Sequence, residues 1–298
     1  MTATIIDGKK IAEEIKNSLK DKIQKLKHEG IIPKLSVVLV GENPASQIYV
    51  RMKTKACQEL GIDSPTINLS SEISQTKLLN IIDELNKDDM VHGILVQLPL
   101  PKHIDEEMVI NSISPVKDVD GFHPFNRGKL IIGEETFVPC TPFGIQKMLV
   151  RSGFDPGGQH VVIVGRSKIV GLPLAILLMQ KKAGANATVT MCHTGTEDLG
   201  KFTKQADILI AAMGRPEVIK GDMVKPGAVV IDVGVNRVED LNSDKGYRIV
   251  GDVEFESACE IAKAISPVPG GVGPMTIAML IYNTVKAAGD YCASSSTG

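Results

Sequence analysis

A glycine turn that contains a basic side chain offers the clearest chemistry in this chain of 298 residues. Gly165 and Gly171 lie six residues apart, enclose Arg166 and Ser167, and follow the apolar run at residues 160–164. A turn between a strand and a helix presents free backbone amides and the positive end of the helix dipole to a phosphate. The spacing differs from GxGxxG, so a tight turn that needs glycine only for its geometry is the alternative. We predict that this turn, which contains Gly165, Arg166 and Ser167, presents its amides to a dinucleotide phosphate.

The segment after the next predicted strand indicates which dinucleotide is bound. Residues 191–196 read Met-Cys-His-Thr-Gly-Thr and lack the Asp or Glu that would bind a ribose 2′-hydroxyl and repel a 2′-phosphate. Arg166, His193 and Thr194 are hydrogen-bond donors instead. The sequence therefore favours NADP over NAD and adds His193 and Thr194 to the cofactor-binding candidates.

A tyrosine and a lysine share one face of a predicted helix. Tyr49 and Lys53 lie four residues apart, and the helix would flank the carboxyl edge of a sheet, where α/β proteins bind ligands. An isolated lysine on a helix is usually a solvated surface charge, which is the alternative. Gln97 ends an apolar strand at the same predicted edge. Its amide either caps the strand's own backbone or faces a cleft.

Three aspartates have two readings each. Asp118 and Asp120 lie in a predicted turn, where aspartates usually cap their own backbone. One of them could instead accept two hydrogen bonds from a planar ligand that offers an amino group beside a ring N–H. Asp252, within Val-Gly-Asp-Val, is as consistent with a helix cap as with a functional group.

The cysteines indicate the compartment. They are odd in number, widely scattered and include no CxxC pair: Cys57, Cys140, Cys192, Cys259 and Cys292. This pattern predicts neither a disulfide framework nor a metal site, and we expect Cys140 to be buried and inert. No segment approaches the roughly 20 apolar residues of a membrane span, and the amino terminus lacks a signal peptide's pattern. We therefore expect a cytoplasmic protein with no membrane partner.

These residues need a scaffold, and strand-like segments alternate with helix-like ones as in a mostly parallel sheet covered by helices. In the first half, Asn43 and Pro44 predict a capped helix start. The predicted elements there are helices over 8–28, 43–60 and 74–87 and strands over 35–40, 66–69 and 93–97.

The second half reads as half or more of a Rossmann sheet. Its predicted elements are strands over 160–165, 187–192, 207–212 and 228–233, a helix over 172–179, and a glycine- and proline-rich loop over 266–276 before an apolar helix. Thr141 and Pro142 predict another helix start and a boundary. We therefore expect an α/β fold of two α/β domains, 1–141 and 142–274, with a C-terminal helix over 275–290 joined to the first and a cleft between them.

The charge balance argues against a nucleic-acid partner. Lys and Arg number 33 against 35 Asp and Glu, which leaves no excess positive charge to neutralise a phosphate backbone. A hydrophobic fraction of 43% with 23% charged residues is typical of a folded chain.

Six segments together resemble, in order, the bifunctional methylenetetrahydrofolate dehydrogenase/cyclohydrolase family. They are residues 49–53, 91–101, 117–121, 139–142, 164–171 and 267–276. The resemblance implies NADP-dependent oxidation of 5,10-methylenetetrahydrofolate to the methenyl cation, then hydrolysis of that cation to 10-formyltetrahydrofolate. It also implies tetrahydrofolate derivatives as ligands, a homodimer, and a place in the one-carbon metabolism that serves purine biosynthesis.

The resemblance also implies roles for individual residues. Lys53 would be the catalytic lysine, Tyr49 would stack over the folate, Gln97 would orient the lysine, and Asp120 would bind the pterin. Further residues would border the folate: Val96, Leu98, Pro269, Gly270, Gly271, Val272 and Gly273. The residues that would bind NADP are Gly165, Arg166, Ser167, Thr194 and, by its backbone, Val235. Water must lose a proton as it adds to the cation, and a lysine can accept that proton only in its neutral form, which desolvation favours.

Two other functions fit parts of the sequence. A two-domain dehydrogenase resembling shikimate dehydrogenase would also use a lysine and an aspartate, but it would give Asp120 no pterin to bind. A non-catalytic module that senses NADP would bind the cofactor without turnover and would leave Lys53 without a role.

Overall fold

A computed structural model describes residues 2–240 and 246–295, with side chains through residue 292. The chain divides into two compact units, which we name by their sheets. The six-stranded unit comprises Met1–Glu13 and Thr141–Thr276, and the three-stranded unit comprises Glu14–Cys140 and Ile277–Gly298. The α/β fold class predicted from the sequence is confirmed.

The three-stranded unit is built on a parallel sheet. The strand order is β3-β2-β4, so β2 is central and pairs with both neighbours. Its strands are β2 (Leu35–Val40), β3 (Thr66–Leu69) and β4 (Gly93–Val96). Its helices are α2 (Pro44–Glu59), α3 (Gln75–Lys87), α4 (Glu106–Ser112) and α5 (Pro124–Ile132), together with most of α1 (Gly8–His28) and of α10 (Val272–Ser295). All residues of β2 and β4 are buried, as expected of a sheet covered on both faces.

The six-stranded unit contains the predicted Rossmann-type sheet. Its strands are all parallel and follow the order β1-β11-β8-β7-β5-β6. They are β1 (Thr4–Ile5), β5 (His160–Val164), β6 (Thr188–Cys192), β7 (Ile208–Ala211), β8 (Val229–Asp232) and β11 (Ala264–Ile265). The helices are α6 (Cys140–Arg151), α7 (Gly171–Met179), α8 (Leu199–Thr203) and α9 (Phe255–Ile261), and β9 (Asn236–Glu239) pairs antiparallel with β10 (Tyr247–Val250).

The structure differs from the sequence prediction at both ends of the chain. Residues 1–13 group with the six-stranded unit because β1 pairs with β11, where Thr4 lies beside Ala264. The last helix begins at Val272 rather than near 275, and it includes Pro274 in its first turn. A proline is tolerated there because first-turn amides have no partner within the helix. The other domain boundaries and the cleft remain predictions.

Both parallel sheets concentrate loop residues at one edge. Because parallel strands end on the same side, the segments after β2 and β4 share one edge of their sheet, and those after β5, β6, β7 and β8 share one edge of theirs. Among the described residues, none of the helices combines the length and apolar character needed to cross a membrane.

Candidate functional site

The lysine candidate lies on the buried face of α2. Asn43 caps this helix, with its Oδ1 accepting a hydrogen bond from the Ser46 amide at 3.1 Å, and Pro44 begins it as predicted. The buried face includes Val50 and Lys53. Lys53 is only 7% exposed, whereas the side chain of Lys55 is 78% exposed. The structure therefore does not support reading Lys53 as an ordinary surface charge.

Gln97 connects this lysine to the end of β4. Its Oε1 accepts a hydrogen bond from Lys53 Nζ at 3.0 Å, and its Nε2 donates to the Leu98 carbonyl at 2.7 Å. One side chain therefore both caps local backbone and contacts the lysine. That Gln97 also faces a cleft stays a prediction. Val96 before it is buried, and Leu98 after it is half-buried.

The two aspartates of the 117–121 turn have different surroundings. Asp118 is buried and caps the turn: its carboxylate accepts hydrogen bonds from the amides of Phe122 (3.1 Å) and His123 (2.8 Å) and from Asn126 Nδ2 (2.8 Å). The capping reading therefore describes Asp118. Asp120 is left as the residue that can offer a carboxylate to a ligand.

Asp120 lies within the electrostatic influence of Lys53. Burial raises the pKa of the Asp120 carboxyl, and the positive charge of Lys53 acts in the opposite direction. Burial, reinforced by the charge of Asp120, raises the pKa of the Cys140 thiol well above its usual value. Cys140 is buried, as expected, and its Sγ donates to the Val119 carbonyl at 3.4 Å. A thiol held protonated in this way is a poor nucleophile.

Tyr49 lies one helical turn before Lys53 and is 37% exposed. Partial burial raises the pKa of its hydroxyl. An accessible aromatic ring beside a buried lysine can stack against a planar ligand. The three-stranded unit therefore brings together Lys53, Gln97 and Asp120, with Tyr49 one turn away.

Sequence reasoning missed Asn283 on α10. It is 2% exposed, and its Nδ2 donates to the carbonyls of Val119 (2.8 Å) and Val138 (3.2 Å). These contacts fix the backbone at Val119, next to Asp120, and at Val138. The available signal was a single amide within the apolar run at residues 277–285, but its partners lie far away in the sequence.

The cofactor candidates line a cavity of about 360 Å³ at the carboxyl edge of the six-stranded sheet. Its lining includes the predicted residues Gly165, Arg166, Ser167, His193 and Thr194. Gly165 follows β5 with φ +128°, and a Cβ there would overlap the Ala212 carbonyl. Glycine is therefore required by the close approach of two loops.

The donors of this cavity suit an anionic dinucleotide. Ser167 Oγ accepts hydrogen bonds from the amides of Val170 (3.1 Å) and Gly171 (3.4 Å), which holds the turn against the start of α7. Arg166 and Thr194 are exposed at the cavity. A second arginine, Arg215, also lines it and was missed from the sequence, because it belongs to the loop after β7. These residues fit NADP, whose phosphates need cations and N–H donors.

The remaining candidates have a different placement. Val235 is 54% exposed and is not among the residues that line the cavity. Within the segment 269–273, Gly270 accepts a hydrogen bond from the Lys9 amide at 3.1 Å, while Val272 and Gly273 belong to α10. This segment lies in the six-stranded unit. Its grouping with Lys53 around a folate stays a prediction.

Comparison with known proteins covers nearly the whole chain. The family sequence model for the tetrahydrofolate dehydrogenase/cyclohydrolase catalytic domain matches residues 6–120. The family sequence model for the NAD(P)-binding domain matches residues 139–292. The bifunctional protein FolD of Chloroherpeton thalassium is 57% identical over 286 residues, which is 95% of this chain and 97% of that protein.

Solved structures agree in fold over the same length. FolD methylenetetrahydrofolate dehydrogenase/cyclohydrolase from Campylobacter jejuni is 51% identical, with a TM-score of 0.91 over 97% of this chain and 99% of the other. The Trypanosoma brucei methylenetetrahydrofolate dehydrogenase-cyclohydrolase, solved with NADP and an inhibitor, is 38% identical, with a TM-score of 0.91 over 97% and 98%. The chain belongs to the tetrahydrofolate dehydrogenase/cyclohydrolase family.

Proposed function

We propose that this chain catalyses two consecutive reactions of tetrahydrofolate. The first is the NADP-dependent oxidation of 5,10-methylenetetrahydrofolate to the 5,10-methenyl cation, and the second is hydrolysis of that cation to 10-formyltetrahydrofolate. Family membership and 57% identity to a bifunctional relative support both activities. The observation that carries the residue assignment is the hydrogen bond between buried Lys53 and Gln97.

Lys53 is the proton acceptor of the hydrolysis. A water molecule loses a proton as it adds to the methenyl carbon, and the Lys53 Nζ takes that proton. Lys53 lies on the buried face of α2, which keeps its side chain out of bulk solvent. Gln97 limits the rotation of the side chain by accepting one hydrogen bond from Nζ. Tyr49 packs its ring against the folate.

Asp120 binds the pterin. The 2-amino group and the N3–H of a pterin form an adjacent pair of donors, and a carboxylate accepts both. Asp118 supports this assignment because it satisfies the turn's amides and leaves the Asp120 carboxylate for the ligand.

The oxidation depends mainly on positioning. NADP, when bound, supplies the hydride acceptor. Gly165 and Ser167 would hold the diphosphate through the turn before α7, and Arg166 would pair with the 2′-phosphate, with His193 and Thr194 as further contacts in the same cavity. Val235, which does not line this cavity, would contact NADP by its backbone, as the resemblance implies. The residues around Lys53 hold the folate. Because hydride transfer moves no proton, this reaction does not need Lys53 as an acid or a base.

Replacement of Lys53 by methionine tests this division of labour. Lys53→Met keeps the length of the side chain but removes the amine, so we expect cyclohydrolase activity to fall by roughly 100-fold or more while substantial dehydrogenase activity remains. Methenyl absorbance is followed in both assays: its appearance with tetrahydrofolate, formaldehyde and NADP reports oxidation, and its decay without NADP reports hydrolysis.

Lys55→Met is the matched control, since Lys55 lies on the exposed face of the same helix. It should leave both rates unchanged. Equal loss of both activities in folded Lys53→Met protein would contradict the assignment of the lysine to hydrolysis. Absence of both activities in the unmodified chain would overturn the proposed function itself.

We further propose that the chain acts as a homodimer in the cytoplasm, within the one-carbon metabolism that serves purine biosynthesis, and that it binds neither nucleic acid nor membrane. Free cysteines support a reducing compartment, and a net charge of −2 argues against a nucleic-acid partner. The homodimer and the metabolic context rest on family membership alone. Sedimentation of the purified chain measures the oligomeric state directly.

A further inference from the structure

Asp252 is fully buried, and its carboxylate is surrounded by hydrogen-bond donors. Its Oδ2 accepts from the amides of Met213 (2.6 Å) and Gly214 (2.9 Å). Its Oδ1 accepts from the Arg215 amide and from Asn236 Nδ2, both at 2.9 Å. Three successive amides of the loop after β7 are therefore held by one side chain from a segment almost 40 residues away.

A second buried carboxylate holds the first. Asp232, at the end of β8, is 4% exposed, and its oxygens accept hydrogen bonds from the amides of Asp252 (2.9 Å), Val253 (2.9 Å) and Gly234 (3.0 Å). Burial raises the pKa of Asp232 to about 6, against the effect of these hydrogen bonds, and the charge of Asp252 adds to the rise. Burying two neighbouring carboxylates costs free energy.

The backbone is shaped to admit both carboxylates. A Cβ at Gly234 would overlap the Asp252 carboxylate, and a Cβ at Gly251 would overlap that of Asp232. The loop they fix has a clear location: Ala212, Met213 and Arg215 line the same cavity as Arg166. The two buried carboxylates thus fix the part of the cavity wall that the loop after β7 provides.

We propose that Asp252, held by Asp232, is a positioning residue for NADP: it fixes the Met213–Arg215 loop in the form that the cofactor needs. This inference rests on the proposed NADP site. It assigns Asp252 a role in the dehydrogenase reaction alone, because hydrolysis of the methenyl cation requires no cofactor.

Asp252→Asn is the test. An asparagine has one oxygen to accept hydrogen bonds, and in either orientation its NH₂ group would face two N–H donors, at least one of them a loop amide. The Kd for NADP, measured by calorimetry, and the KM for NADP should each rise roughly tenfold. The dehydrogenase kcat at saturating NADP and the cyclohydrolase rate without NADP should not change. Asp222→Asn, which removes an exposed carboxylate of the same unit, is the matched control and should alter none of these values.

An unchanged Kd for NADP in folded Asp252→Asn protein would overturn the inference, as would a parallel loss of cyclohydrolase activity, which signals a general structural role. If that variant fails to fold, Asn236→Ala removes one hydrogen-bond donor from Asp252 and should raise the Kd for NADP by a smaller factor. An unchanged Kd for NADP in folded Asn236→Ala protein would also overturn the inference. Calorimetry tests the role of Asp252 separately from the proposed function, because it measures NADP binding without turnover. If the unmodified chain binds NADP but turns over no substrate, the proposed function is refuted, and the effect of Asp252→Asn on the Kd can still be measured.

Discussion

At the scale of single residues, two aspartates of one turn should respond differently to the same substitution. We expect Asp120→Asn to raise the KM for the folate roughly tenfold or more, because an amide nitrogen would face one of the pterin's two donors.

The same substitution should change how stability depends on pH. Since burial raises the pKa of the Asp120 carboxyl, the folded chain holds the carboxyl proton more tightly than the unfolded chain. Stability of the unmodified chain relative to Asp120→Asn should therefore fall as pH rises above the ordinary value of 3.8. Urea denaturation at several pH values measures this.

Asp118→Asn provides the contrast. It removes acceptors for the amides of Phe122 and His123 and for Asn126 Nδ2, and should lower the free energy of unfolding by about 2 kcal/mol. An unchanged folate KM in Asp120→Asn, or a larger stability loss there than in Asp118→Asn, would reverse the two assignments.

The residue types and their spacing identified candidate residues, but they did not decide whether each residue has a structural role or binds a ligand. Lys53 and Lys55 are equivalent in type, and only helix packing buries one of them. Asp118 and Asp120 are also equivalent in type, and the capping contacts decide between them. Asn283 and Asp252 could not be assigned a role from the sequence. Asn283 donates to the Val119 carbonyl, 164 residues away, and Asp252 accepts from the Met213 amide, 39 residues away. Partners so distant along the chain leave no local sequence pattern.

At the scale of elements, the cap of α2 should matter because this helix carries Tyr49 and Lys53. Asn43→Ala removes the acceptor for the Ser46 amide and should lower the free energy of unfolding by about 1 kcal/mol. Asn43→Ser should restore most of it, since serine also caps helices. Urea denaturation measures both variants. Equal stability of the alanine variant and the unmodified chain would show that the cap contributes nothing.

Elements with a strong local signal were predicted well. β3 has the predicted bounds, and α2 begins at its predicted cap and proline. The two-residue strands β1 and β11 were missed because they are too short to show alternation and exist only through pairing with each other and with β8. The early start of α10 was also missed, since glycines and prolines around Val272 favour a loop when judged alone.

At the scale of the whole molecule, the assignment of one ligand to each unit can be mapped by hydrogen exchange. We expect NADP to slow amide exchange at residues 165–167 and 213–215, and tetrahydrofolate to slow it around Gln97 and Asp120, because bound ligand restricts local opening. Protection by NADP around Gln97 without any at Gly165 would contradict the assignment.

The pairing of β1 with β11 also determines when the six-stranded sheet can be completed. Thr4 is translated some 260 residues before its partner Ala264. Contacts of such sequence separation form late, since the intervening chain must first be made and ordered. The residues from Glu14 to Cys140 can begin folding during synthesis, whereas β1 must wait until β11 has been translated.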